Sequence, residues 1–438
     1  MMPSLALEMS TANPAAPLET RTNRVCAFGV GFLLAAQSFR TQYIGTPTDL
    51  LSRVALVDFL CLAFLGVLFL RHRMRTLPWA AGLYAAAVGL ALIPALTVTP
   101  GPERDVWVQF SAIWMAFCFY LVGLNIGASP TLLRWLMAGL CVSVAAEAVV
   151  VYHDWLSSSP WFPDWMENRV RGTFKANGQL GTYGFCAAGL LITFGATLGT
   201  PVFRRICVAA AIVAASFVFA ASRRAGMFSV FAWGGLFAVL GWRFAGQRFY
   251  NLFLGGFLSV LVLLGAFLPQ VESSFVGRRF RDAMTGLGKR EGFIQDQLHD
   301  CYKTADQWFP FGFGVGRGAR VDLRDGIEVH NCFLAVLIEL GVLGLAGFLG
   351  MLVHPLLRKR WQKRSPEHER LGVLLTTFLI ISVMFMFHNT LYRDRAFLLF
   401  LGLATTVVLM ESRLGTESSL FKPAGAKDER PRHSWSGA

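Results

Sequence analysis

A glycine-rich polar stretch, FPFGFGVGRGARVDLRDGIEV (309–329), ends at His330-Asn331 and passes directly into an apolar run. An imidazole with an ordinary pKa of about 6.5 can take up or release a proton near neutrality, so His330 is the sharpest candidate for acid–base work. His388-Asn389 repeats the pair at the end of a later apolar run and is its internal competitor. Arg278, Arg279, Arg281, Lys289 and Arg290 cluster with only Asp282 among them. Guanidinium forks match phosphate oxygens bidentately, so the cluster suits a phosphate or pyrophosphate; anchoring to anionic lipid headgroups is the alternative. A second polar stretch, RVRGTFKANGQL (169–180), sets three cations and several amides before another apolar run. It reads either as a binding segment or as a helix start capped by Asn177.

These residues need elements to hold them. The chain of 438 residues is 54% hydrophobic and 15% charged, with 38 Phe and 12 Trp. Several apolar runs are long enough to cross a hydrocarbon core of about 30 Å. The expected fold is all-α, a polytopic integral membrane protein of about twelve transmembrane helices; a β-barrel would show short alternating segments instead. The expected spans are about 25–39, 54–70, 78–98, 106–126, a fifth ending near Val151, 179–199, 206–221, an eighth ending at Arg243, 250–269, 330–354, 371–389 and a twelfth ending near Met410. The domain layout is a disordered tail (1–20), a helical body (21–411) with loops at about 152–177 and 270–329, and a polar tail (412–438). The larger loop precedes the last three spans. Trp155, Trp161 and Trp165 in the smaller one are expected as interfacial anchors.

Basic clusters set the orientation. Arg71-His72-Arg73-Met74-Arg75 and Arg358-Lys359-Arg360 fall on one side, read as cytoplasmic with both termini. That explains much of the net charge of +13, and with no nucleic-acid module in the sequence it argues against nucleic acid as a partner. Arg223-Arg224 and Arg393/Arg395 fall on the opposite side. An arginine there needs an anionic ligand or a local ion pair; for Arg393 the adjacent Asp394 is the expected partner, while Arg223 has no adjacent acid.

Of the eight cysteines, six lie in apolar runs as packing residues. Cys301 and Cys332 flank the large loop, where a disulfide is one option. No spacing suggests a metal site. Glu339 stands nine residues beyond His330, on the opposite face of the same helix, so its expected partner is another helix. Asp58 and Glu147 are further acids in apolar runs, and each could mark an ion path. A transporter is therefore the rival class, although the sequence shows no matching pair of interrupted helices. Gly341, Gly344, Gly347 and Gly350 should let neighbouring helices approach closely.

Taken in order, RGTFKANGQLGTYG (171–184), ASRRAG (221–226), GKREGFIQDQLHD (288–300), FGFGVGRG (311–318) and HNCFLAVLIELGVLGL (330–345) resemble the O-antigen ligase and polymerase superfamily. One departure is Ala176-Asn177-Gly178-Gln179, where many relatives carry an Asn-Pro-Asn-like step. The resemblance implies an inverting, metal-independent glycosyltransferase with no cofactor in the bacterial inner membrane, its site facing the periplasm. The donor would be an undecaprenyl-pyrophosphate-linked glycan. The acceptor would be lipid A-core for a ligase, or a growing polysaccharide for a polymerase. It also implies His330 as general base and Arg171, Arg223 and Arg290 as pyrophosphate-binding residues. Arg224, Arg279, Lys289 and His388 are secondary candidates.

Overall fold

A computed structural model describes residues 20–35, 56–71, 74–97, 103–157, 159–162, 170–174, 177–195, 200–221, 224–244, 309–315, 331–356, 366–386 and 391–413, with scattered positions between 251 and 305. Among them there is no β-strand. The helices are α1 (Arg21–Phe32), α2 (Leu56–Leu70), α3 (Trp79–Leu90), α4 (Leu92–Thr97), α5 (Glu103–Ile126), α6 (Pro130–Leu156), α7 (Asn177–Leu190), α8 (Pro201–Ala220), α9 (Arg224–Phe244), α10 (Cys332–Val353), α11 (Pro366–Met386) and α12 (Arg395–Arg413). Five stretches among the described residues are long and apolar enough to cross a membrane: Trp79–Thr97, Val106–Ile126, Pro130–Leu156, Pro201–Ala220 and Cys332–Val353. The protein is thus a helical membrane protein. The expected ninth span (250–269) and most of the large loop fall outside the described residues.

Local chemistry starts the helices. Ser129 accepts from Leu132 N at 3.3 Å ahead of Pro130, and Thr200 accepts from Phe203 N at 3.3 Å ahead of Pro201. Each pairs a hydroxyl cap with a proline whose missing N–H costs nothing in the first turn. α6 runs to Leu156, past the expected end near Val151. At 27 residues it is about 40 Å long, so the polar segment begins at Ser157 rather than Tyr152. α10 begins at Cys332, with Asn331 as its cap: Asn331 Oδ1 accepts from Phe333 N (3.0 Å) and Leu334 N (3.1 Å). The helix thus starts two residues after the expected start of the 330–354 span.

Two crossings bring helix backbones together through glycine. A Cβ on Gly31 would lie 2.2 Å from Leu136 O, and one on Gly139 would lie 2.1 Å from Phe28 O, which packs α1 on α6. Gly123 and Gly402 do the same for α5 and α12, against Leu399 O (2.5 Å) and Tyr120 O (2.1 Å). In α10, Gly347 and Gly350 meet Tyr84 and Ala80 of α3. Gly341 does something else. Its φ of 69° and ψ of −169° interrupt the helix in a region that only glycine adopts readily.

That interruption is filled by residues 310–315. An unbroken α10 would bond Val342 N to Ile338 O. Instead Val342 N donates to Pro310 O (2.9 Å) and Ile338 O accepts from Phe313 N (2.7 Å). The same segment meets the break between α3 and α4, where Ala91 O accepts from Val315 N (3.2 Å). Two interrupted helices therefore exist among the described residues and pack against each other. Hydropathy gave no signal of the break at Ala91, which lies inside an apolar run; the signal was Pro94, whose missing N–H leaves Leu90 O without its helical partner. Backbone groups freed inside an apolar bundle must bond somewhere, and the 310–315 backbone supplies the partners.

Candidate functional site

One end of the bundle collects the finishing turns of α6, α8 and α11 and the starts of α7, α9, α10 and α12. Phe385 near the end of α11 stacks on Phe185 of α7 at 4.8 Å, and Gly226 of α9 approaches both Phe385 and Val218 of α8. The residues 170–174 turn back into this end. Val170 N donates to Ala220 O at 3.4 Å, and Val170 and Phe174 are both buried. Glu147 of α6, 3% exposed, receives Thr173 N at 2.9 Å on one oxygen and the Thr173 hydroxyl at 2.7 Å on the other. Gly172, with φ of 57°, lies so close that a Cβ there would be 2.1 Å from Glu147 Oε1.

Seven residues further along α6, on the same face, Asp154 accepts from Trp161 N (2.7 Å) and Phe162 N (3.2 Å). His153 Nδ1 lies 3.2 Å from the same carboxylate, and its ring stacks on Trp161 at 3.7 Å. Arg171, half-buried, donates from Nε to Phe162 O at 3.4 Å. Trp155 and Trp161 are exposed; Trp165 lies outside the described residues.

A second polar cluster joins α10, α5 and the turn before α12. Glu339 accepts from the Tyr392 hydroxyl (2.9 Å) on one oxygen and from Arg393 Nη2 on the other. Arg393 also donates to Gln109 Oε1 at 2.8 Å and lies 4.8 Å over the Tyr392 ring. So the partner of Arg393 is Glu339, not the adjacent Asp394. Asp394 instead caps α12, accepting from Phe397 N at 2.8 Å. An acid at the start of a helix is better used on the orphan N–H groups there. Arg395 grips Asp58 of α2 through two bonds of 2.6 and 2.7 Å. The acids that stood out in apolar runs, Asp58, Glu147 and Glu339, are thus each bonded through both oxygens. Two of them account for Arg393 and Arg395, one of the two arginine pairs that broke the charge bias.

Of the residues singled out for chemistry, Arg171 is described in full. Arg224 opens α9, its side chain outside the described residues. His330, Arg223, Arg290, Arg279, Lys289 and His388 also lie outside them, as does Cys301. Cys332 is buried with a free thiol. The Val170–Ala220 bond brings the Arg171 segment to the last residue of α8, which Arg223 and Arg224 follow closely in the sequence. Gln109, Tyr392, His153 and Asp154 did not stand out in the sequence, and Trp161 did so only as an interfacial anchor. For the two ion pairs the available signal was charge, with Asp58 and Glu339 in apolar runs and Arg393 and Arg395 on the wrong side.

Among the described residues no three His, Cys, Asp or Glu side chains converge as a metal site would require. The arrangement offers a guanidinium held at the rim of an apolar bundle, on a segment tied down by carboxylates. Such a group can bind and neutralise an anion. Compared with known families and with curated proteins, the chain matches none.

Proposed function

We propose that this protein is an inverting glycosyltransferase that moves a glycan from undecaprenyl pyrophosphate to an acceptor hydroxyl. The leading form is an O-antigen ligase with lipid A-core as acceptor; the alternative is a polymerase extending an O-antigen or exopolysaccharide. In this reading about twelve spans cross the bacterial inner membrane, both termini are cytoplasmic and the site faces the periplasm. His330 takes the proton from the acceptor hydroxyl. The acceptor oxygen bonds to the anomeric carbon from the face opposite the leaving group, and the bond from that carbon to the pyrophosphate oxygen breaks. Arg171, Arg223 and Arg290 stabilise the charge that develops on the diphosphate. Arg224, Arg279, Lys289 and His388 stand in reserve for these roles.

The observation that supports this reading is the Val170–Ala220 bond, which sets the Arg171 segment at the end of α8, the helix that Arg223 and Arg224 follow in the sequence. Two cationic motifs far apart in sequence then serve one anion. The energy for transfer arrives with the donor, because the diphosphate is already an activated leaving group.

A transporter remains the second reading, favoured by the interrupted helices α3/α4 and α10, since discontinuous helices bind substrates in many transporters. Against it, the backbone at both breaks is bonded by residues 310–315, and Asp58 and Glu147 are bonded through both oxygens. The test is to supply purified protein with undecaprenyl-pyrophosphate-linked glycan and EDTA, offering lipid A-core and a polysaccharide acceptor in parallel. Ligase activity labels the first and polymerase activity lengthens the second. Movement of solute across vesicles without labelling of either would favour the transporter.

A further inference from the structure

We infer that Glu147 and Asp154 of α6 are positioning residues that hold Arg171 ready for the anionic group of the lipid-linked donor; this rests on the donor reading above. The two carboxylates lie two helical turns apart on one face of α6. Asp154 grips the N–H groups of Trp161 and Phe162, and the Phe162 carbonyl in turn receives Arg171 Nε. Glu147 grips Thr173, through its N–H and its hydroxyl, two residues past Arg171. The N–H of Val170, on the other side, is bonded to Ala220 O. Arg171 is thus fixed from before, from after and at its own side chain.

The local sequence serves this arrangement. Gly172 has a left-handed φ of 57° and leaves no room for a side chain beside Glu147. Val170 and Phe174 bury on either side, so Arg171 projects from a short segment anchored by apolar contacts. An arginine on a loose loop would lose conformational freedom on meeting its ligand. Here that ordering precedes binding, and pre-ordering a binding group raises affinity. The carboxylates also answer why acids sit in this part of an apolar helix: both oxygens of each accept hydrogen bonds from the segment they hold.

The test uses the full-length protein in nanodiscs and undecaprenyl pyrophosphate as the probe, with binding measured directly and folding followed by thermal unfolding. Arg171→Ala is expected to weaken binding. Glu147→Ala should weaken it about 10-fold, the cost of ordering about one loosened residue on binding. Glu147→Gln, which can still bond both the N–H and the hydroxyl of Thr173, should recover most of that loss. The double variant Arg171→Ala/Glu147→Ala should bind no worse than Arg171→Ala alone, because Glu147 acts through Arg171. Thr173→Val, which removes one bond and no charge, reads the same coupling if Glu147→Ala does not fold. Additive losses in the double variant, or wild-type binding by folded Glu147→Ala and Thr173→Val beside a weakened Arg171→Ala, would overturn the positioning role and leave the donor site standing. Wild-type binding by Arg171→Ala would overturn the donor site itself and the positioning role with it.

Discussion

Arg393 and Glu339 meet inside the bundle, 54 residues apart in sequence, with Tyr392 donating to the second oxygen of the same carboxylate. The pair ties α10 to the turn before α12, and Gln109 extends the tie to α5. Removing one partner strands a buried charge. Glu339→Ala should therefore destabilise the protein by about 3–5 kcal/mol. Replacing both, as Glu339→Leu with Arg393→Met, should cost less, since two apolar side chains leave no charge unpaired. Chemical denaturation in detergent micelles distinguishes the two; an equal loss in both variants would mean that the ion pair is not what the cluster contributes.

Arg395 and Asp58 make the more regular pair, two parallel bonds between a planar fork and a carboxylate. Lysine keeps the charge and loses the fork. Arg395→Lys should lower stability by about 1.5–3 kcal/mol, the worth of a charged hydrogen bond. Thermal unfolding checks this, and wild-type stability in the variant would show that charge alone suffices.

The glycine crossings predict a contrast along the bundle. Gly402→Ala would drive a Cβ into Tyr120 O, at 2.1 Å, and should cost about 1–3 kcal/mol by overpacking. Gly66→Ala meets nothing within 4 Å and should be neutral or slightly stabilising, since alanine favours helix over glycine by about 1 kcal/mol. Equal damage from the two substitutions would contradict the close approach of α5 and α12.

At the break in α10 the expectation is local. Gly341→Ala forces a side chain into backbone geometry reserved for glycine, with its Cβ 2.3 Å from Pro310 O. The variant should release residues 310–315 from α10, seen as faster hydrogen exchange at Phe313 and Val342. Unchanged exchange at both amides would show that the break does not hold the segment.

Much of the helical layout was readable because apolar length is a strong signal. The α2 and α5 boundaries fall within a few residues of those expected from hydropathy. The interruption at Ala91 had a signal in Pro94, which has no N–H to give Leu90 O and disfavours an unbroken helix through LALIPAL (90–96); what could not be read was the segment that fills the break, more than 200 residues away. Gly341 read as a packing glycine, one of four at regular spacing; only its backbone angles separate it from Gly347. Arg393 was assigned to its sequence neighbour because proximity in sequence is visible and proximity in space is not. Glu339 was correctly expected to bond to another element, from helical phase alone. For Arg171 the residue type suggested a ligand, whereas the two acids that hold it depend on a turn that no spacing rule predicts.

The central claim is that an imidazole frees an acceptor hydroxyl while arginines hold a lipid diphosphate. The most direct measurement is the single-turnover rate of glycan transfer from undecaprenyl pyrophosphate by wild-type protein and by His330→Ala, each shown to be folded. The account predicts transfer by the wild type in EDTA and a loss of about 10²- to 10⁴-fold in the variant, the usual contribution of a general base. Transfer by His330→Ala at the wild-type rate, or no transfer by folded wild-type protein to any acceptor offered, would contradict it.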